Sequence, residues 1–169
     1  HGRLYTLSER FFQGMVNGYG RALTWALDNR KKTLLLMAGT IAAYYSVGTE
    51  PDTRGLVYAL WKRGSYVLLP LLRPDGDLDW ASYEGPDSLV AGPRGLREPG
   101  EPPRGVDAVA RADVVLVPAL AVDAAGRRLG RGGGSYDRAL ARVGPLVPLI
   151  ALIYDDELVE QVPAEGHDV

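Results

Sequence analysis

The chain has 169 residues, 46% of them hydrophobic and 24% charged, with a formal net charge of −2 and no cysteine. That composition excludes global disorder and any general electrostatic attraction to nucleic acid. The absence of cysteine excludes a disulfide scaffold, a thiolate metal site and a cysteine nucleophile, and it fits a reducing cytoplasm.

The sequence opens at His1 rather than Met, which reads as a processed product or a fragment. Residues 1–41 carry more Lys and Arg than Asp and Glu and read as an atypical helical segment. A basic knot, Arg30, Lys31 and Lys32, precedes an uncharged run from Thr33 to Tyr45. A membrane span needs roughly 20 apolar residues. An amphipathic helix leading into a buried strand is therefore favoured over a membrane entry point.

From Ala42 to Val169 the pattern is that of a separate α/β domain. AAYYSV (Ala42–Val47) is expected as a strand. PDTRGLVYALWKRG then reads as a helix, with Asp52 or Thr53 as its N-cap and Gly64 as its stop. SYVLLPLL (Ser65–Leu72) is the next strand, giving a β-α-β unit with parallel strands. DGDLDW is a turn followed by a short strand, and residues 86–103, rich in Gly, Pro and Arg, are expected as a long surface loop. ADVVLVPALAVD (Ala112–Asp123) is the most apolar strand and is placed centrally. After a turn at AAGRR comes LGRGGGSYDR, then a helix from about Ser135 to Val143. PLIALIY (Pro148–Tyr154) is a strand and DDELVEQV (Asp155–Val162) a short helix. The whole predicts three layers around a mostly parallel sheet.

The glycine stretch follows a strand and leads into a helix, where α/β sheets bind ligands. Glycines let backbone N–H groups approach a ligand closely, and a helix N-terminus favours anions. Arg128 and Arg131 add fork-shaped donors, and Asp137 is a hard oxygen ligand suited to Mg²⁺. Neither G-x-x-x-x-G-K-[ST] nor G-x-G-x-x-G is present. From these residues alone, a nucleotide phosphate cradle and a glycine-rich hairpin with solvated arginines both stand. His1 and His167 have no partner in sequence, and no nucleophile elbow is present.

VLVPALAVDAAGRRLGRGGGSYDRAL (Val115–Leu140) resembles the signature of the 5-formyltetrahydrofolate cyclo-ligase, or methenyltetrahydrofolate synthetase, family. YYSVGTEPDTRGL, LRPDGDLDW, LREPGE and ALIYDDELVEQVPAEGHDV resemble the same family in order, over roughly residues 42–169. The resemblance implies a NagB/RpiA/CoA-transferase-like three-layer α/β sandwich. It also implies an enzyme that uses ATP and Mg²⁺ to convert 5-formyltetrahydrofolate, polyglutamylated or not, to 5,10-methenyltetrahydrofolate. On that resemblance Arg128, Leu129, Gly130, Arg131, Gly132, Gly133, Gly134, Ser135 and Tyr136 would line ATP. Arg131 to Ser135 would also approach the reacting end of the folate, with Arg131 catalytic, and Asp137 would hold Mg²⁺. Tyr45 and Glu50 would contact folate, Glu50 at the pterin. The competing structural roles are a turn residue for Glu50, core packing for Tyr45 and a helix first-turn acid for Asp137. A cytoplasmic monomer without nucleic-acid or membrane partners is expected.

Three departures stand against that pattern. Ser135 replaces the first tyrosine of the family's G-Y-Y-D. ERFFQGMVNGYGRALTWALDNRKKTLLLMAGTIA resembles a short segment of resistance-nodulation-division efflux transporters instead of the family's basic opening helix. The sequence also stops at Val169, short of a further acidic strand of the family, so the domain is read as C-terminally truncated. The alternative function is a nucleotide- or folate-binding homologue, or a fusion fragment, impaired in turnover.

Overall fold

The structure, a computed structural model, describes residues 39–162. The expected N-terminal helix, the basic knot and His167 lie outside the described residues.

A five-stranded sheet has the order β3-β2-β1-β6-β9. Its strands are β1 (Thr40–Ala42), β2 (Tyr66–Leu72), β3 (Leu78–Ser82), β6 (Val114–Pro118) and β9 (Leu149–Leu152). All pairings are parallel except the β2–β3 hairpin. Strand alternation explains why it is buried on both faces. Ile41, Val67, Leu69, Val114 and Leu116 point to one side, where α1 (Arg54–Lys62) covers them with Val57 and Leu60. Ala42, Leu68, Val115 and Val117 point to the other, under Val109 of the 3₁₀ turn Val106–Arg111 and Ala139 of α2 (Ser135–Leu140). The three-layer α/β architecture with a mostly parallel sheet is therefore present.

Several elements differ from expectation. The first strand is Thr40–Ala42, not the expected Ala42–Val47. Tyr44 to Val47 leave the sheet because Thr53, fully buried, takes their backbone: its Oγ1 donates to the Tyr44 carbonyl at 2.9 Å and accepts the Ser46 N–H at 2.9 Å. Residues 86–103 are not a structureless loop. β4 (Leu89–Ala91) and β5 (Arg97–Pro99) form an antiparallel ribbon with two 3₁₀ turns. The apolar run Ala112–Asp123 breaks after Pro118. Leu120 donates its N–H to the Leu129 carbonyl at 2.8 Å, which starts a second sheet, order β10-β7-β8. That sheet holds β7 (Ala121–Asp123), β8 (Arg128–Leu129) and β10 (Leu158–Val159). Residues 155–162 thus supply a 3₁₀ turn and a strand rather than a helix, because Val162 donates its N–H to Asp123 at 3.0 Å and β10 pairs with β7. α2 ends at Leu140, six residues long and short of Val143. No helix among the described residues is long and apolar enough to cross a membrane.

Candidate functional site

The C-terminal ends of β1, β2 and β6 open into a cleft of about 400 Å³. Parallel α/β sheets place ligands there because strand carbonyl ends and the following loops converge on that edge. Two unlike walls face each other across it.

The first wall is the glycine segment. β6 ends at Pro118, the β7–β8 hairpin returns the chain, and Gly130 to Asp137 run along the cleft. Gly132 (φ +79°) and Gly134 (φ +66°) are left-handed, so a side chain at either would strain the backbone. A Cβ at Gly134 would also lie 2.9 Å from Arg138 Nη1. Among the described residues, no hydrogen bond uses the amides of Gly132, Gly133 or Gly134 as donors. The segment is pinned elsewhere. Ser135 Oγ donates to the Gly76 carbonyl at 2.5 Å and Arg138 Nη2 to the same carbonyl at 2.6 Å. Arg142 grips Asp77 through both carboxylate oxygens, at 3.0 and 2.6 Å. Ser135, where the family pattern has tyrosine, thus ties the glycine segment to the β2–β3 turn.

Charges along this wall are paired. Arg128 donates Nη1 to the Pro118 carbonyl at 3.3 Å and Nη2 to Asp137, and its side chain is only 13% exposed. Arg131 is 57% exposed and meets Glu50 at 3.2 Å. Glu50 sits on the β1–α1 connection, where its other oxygen accepts the Val47 N–H at 2.9 Å. Asp137 is half-exposed in the first turn of α2. Among the described residues no three His, Asp or Glu side chains cluster as a metal site.

Two phenols floor the cleft. Tyr136 packs against both core clusters, and burial first, then the Glu50 carboxylate, push its pKa well up. Tyr44, nearly fully buried, donates its O–H to the Pro51 carbonyl at 3.4 Å. Its pKa is pushed up to about 12, again by burial first and Glu50 second. Both rings stay neutral donors at neutral pH.

The second wall comes from the ribbon and the β2–β3 hairpin. Pro70, Leu72, Leu78 and Leu96 give it apolar surface, and Glu98 is its one carboxylate. Glu98 is 9% exposed, and its Oε1 accepts the Leu72 N–H at 2.8 Å.

Of the residues expected from sequence, Tyr45, Glu50, Arg128, Gly130 to Gly134, Ser135, Tyr136 and Asp137 all line this one cleft. Leu129 does not: it pairs with Ala121 in the small sheet. Tyr44 and Glu98 are cleft residues that sequence reasoning left unassigned. Glu98 lies inside the block LREPGE, so its signal was present without a geometry to interpret it.

The sequence profile of the 5-formyltetrahydrofolate cyclo-ligase family matches residues 25–169, a span that begins well before the β1 strand. A 5-formyltetrahydrofolate cyclo-ligase of Mycolicibacterium smegmatis is 45% identical over 141 residues, covering 80% of this chain and 72% of its own. That of Escherichia coli K12 is 36% identical over 142 residues, covering 80% and 76%. The solved 5,10-methenyltetrahydrofolate synthetase of Aquifex aeolicus aligns with a TM-score of 0.65 at 27% identity, over 79% of this chain and 66% of that one. The chain belongs to the 5-formyltetrahydrofolate cyclo-ligase family.

Proposed function

We propose that the protein uses ATP to convert 5-formyltetrahydrofolate to 5,10-methenyltetrahydrofolate, releasing ADP and phosphate. One observation carries the reading: in a chain of this family, the glycine segment with its open amides forms one wall of the cleft at the strand ends. The γ-phosphoryl passes to the formyl oxygen, N10 of the folate attacks the activated carbon, and phosphate leaves with that oxygen. The reaction needs positioning and charge neutralisation more than a protein nucleophile.

The chain's own groups fit those needs. The amides of Gly132 to Gly134 would bind phosphate oxygens, and Arg131, exposed at the cleft mouth, would supply charge to the transferred group. Arg128 is committed to Pro118 and Asp137, so it braces the wall and presents Asp137. Tyr136 and Tyr44 keep the floor apolar and donate without ionising. Mg²⁺ suits the donor set as a phosphate-bound ion: it is usually held by one or two carboxylates plus substrate oxygens. Asp137, already facing a cation in Arg128, would hold it. The ion would neutralise phosphate charge. The short α2 contributes little dipole, so the loop amides carry the anion contacts. The same reading makes the protein a cytoplasmic monomer acting on folates with or without a polyglutamate tail.

The test is spectroscopic. Methenyltetrahydrofolate absorbs in the near ultraviolet where formyltetrahydrofolate does not. Purified protein with ATP, Mg²⁺ and 5-formyltetrahydrofolate is expected to give a rising absorbance that stops when ATP is omitted. No rise, with ATP still raising Tm, would overturn catalysis and leave binding alone.

A further inference from the structure

We infer that Glu98, rather than Glu50, is the carboxylate that reads the amino-pyrimidinone edge of the bound folate. This inference rests on the folate reading above and names the residue that would set its ring specificity.

The argument is one of occupied and open oxygens. Each oxygen of Glu50 already carries one contact, Oε1 with Arg131 at 3.2 Å and Oε2 from the Val47 N–H at 2.9 Å, which leaves it less acceptor capacity than Glu98. Glu50 therefore ties the glycine segment to the β1–α1 connection. Glu98 has one oxygen committed, Oε1 to Leu72, while Oε2 has no hydrogen bond among the described residues. That oxygen is not sealed in the core, and Glu98 lines the cleft, so Oε2 can accept from a ligand there.

The fold explains how that carboxylate is held. β1 ends at Ala42, opposite Leu68 of β2. Beyond that point the β1-facing edge of β2 has no partner strand among the described residues. Pro70 has no N–H to leave open there, and two residues on, the Leu72 N–H is taken by Glu98. From the other side, Gly92 passes so close that a Cβ on it would lie 2.6 Å from Glu98 Oε2. The side chain is thus clamped between the ribbon and the end of β2, with Leu72, Leu78 and Leu96 as apolar surface around it.

That setting matches one ligand edge. A 2-amino-4-oxopyrimidine presents two adjacent donors, a ring N–H and an exocyclic NH₂, to a carboxylate. An adenine edge presents one donor beside an acceptor, which a carboxylate cannot satisfy. A fixed carboxylate beside the apolar surface of Leu72, Leu78 and Leu96 therefore suits a fused pterin and disfavours the nucleotide base.

Two measurements test the inference. Glu98→Gln keeps the size and one acceptor oxygen but removes the charge. It is expected to weaken 5-formyltetrahydrofolate binding about tenfold or more, the loss of a charged hydrogen bond, with ATP binding unchanged. Second, a folate whose 2-amino group is replaced by methyl should bind the unaltered protein about tenfold more weakly, with little further loss in Glu98→Gln. Equal affinity of the unaltered protein for both folates would overturn the assignment, even if the variant fails to fold. Equal affinity of Glu98→Gln and the unaltered protein for 5-formyltetrahydrofolate would also overturn it. Failure of the unaltered protein to bind 5-formyltetrahydrofolate at all would instead overturn the folate reading on which the inference rests.

Discussion

The two walls of the cleft solve opposite problems. The glycine wall is exposed, strongly polar and held by ion pairs and shared carbonyls, as in Ser135 and Arg138 on Gly76. The ribbon wall is largely apolar and carries one carboxylate clamped in a buried position, beside one cation, Arg97, that donates to the Leu89 carbonyl. A charged, solvated group such as a phosphate belongs against open amides, because its charge need not be desolvated fully. A flat ring with a few polar edge atoms belongs against apolar surface with one fixed acceptor. If the two substrates divide between the walls as proposed, substitutions on each wall should separate the two kinetic responses.

The largest effect is expected at Gly134. Gly134→Ala forces a left-handed residue, costing about 1–2 kcal/mol, and drives a methyl against Arg138. The segment must shift, and a displacement of ~1 Å at a positioning element reduces turnover about 100-fold. Steady-state kinetics should show that fall in kcat with a smaller change in Tm. An unchanged kcat would mean that the glycine geometry does not position the reacting group.

Gly92→Ala is the matching break on the ribbon wall. Gly92 has φ −99°, so its backbone accepts a side chain without strain. The whole effect therefore passes through the carboxylate that its Cβ would meet at 2.6 Å. KM for the folate should rise about tenfold while KM for ATP holds. A parallel rise in both constants would erase the distinction between the walls.

Much of this was legible because the relevant signals are local. The alternation of Val67, Leu68 and Leu69, and of Val114 to Val117, announces strands buried on both faces. The glycine segment, Glu50, Tyr45 and Asp137 stand in motifs that mark the cleft. What was not legible depends on contacts distant in sequence. Thr53 removes Tyr44 to Val47 from the sheet, and nothing within those residues signals it. Asp123 converts an acidic, helix-like tail into a strand by accepting the Val162 N–H across 39 positions. Glu98 becomes a cleft residue only because β1 stops early and leaves the Leu72 N–H to be capped. The split of the apolar run at Pro118 was half-visible: proline was in the text, but the competing partner of Leu120 was not.

Asp123 gives a stability effect outside both walls, in the hairpin that presents the glycine segment. Its carboxylate accepts the Val162 N–H, the Ala125 and Arg127 N–H groups, and Arg127 Nε. The Val162 bond foremost, then those from Arg127, hold its pKa down to about 2. A depressed carboxyl pKa contributes stability that is present above its ordinary value near 3.8 and lost as pH falls towards 2. Asp123→Asn should lower Tm by several degrees at neutral pH and flatten the fall in Tm between those two pH values. A variant whose Tm falls with acid as steeply as the unaltered protein's would remove Asp123 from that role.

The smallest effect on stability is expected at the tie between Arg131 and Glu50. Arg131 is more than half exposed, so the pair is largely screened by water and is worth about 0–1 kcal/mol. Glu50→Gln retains an acceptor for the Val47 N–H and removes only the charge that Arg131 meets. Tm should therefore change little, and the small difference from the unaltered protein should vanish in about 1 M salt, where the screening length is ~3 Å. Turnover should fall a few-fold, since the glycine segment loses one tether while Gly76 and Asp77 keep theirs. Folate affinity should fall far less than in Glu98→Gln. If Glu50→Gln instead shows the larger loss of folate binding, the two carboxylates exchange roles, and the polar wall, not the apolar one, receives the ring.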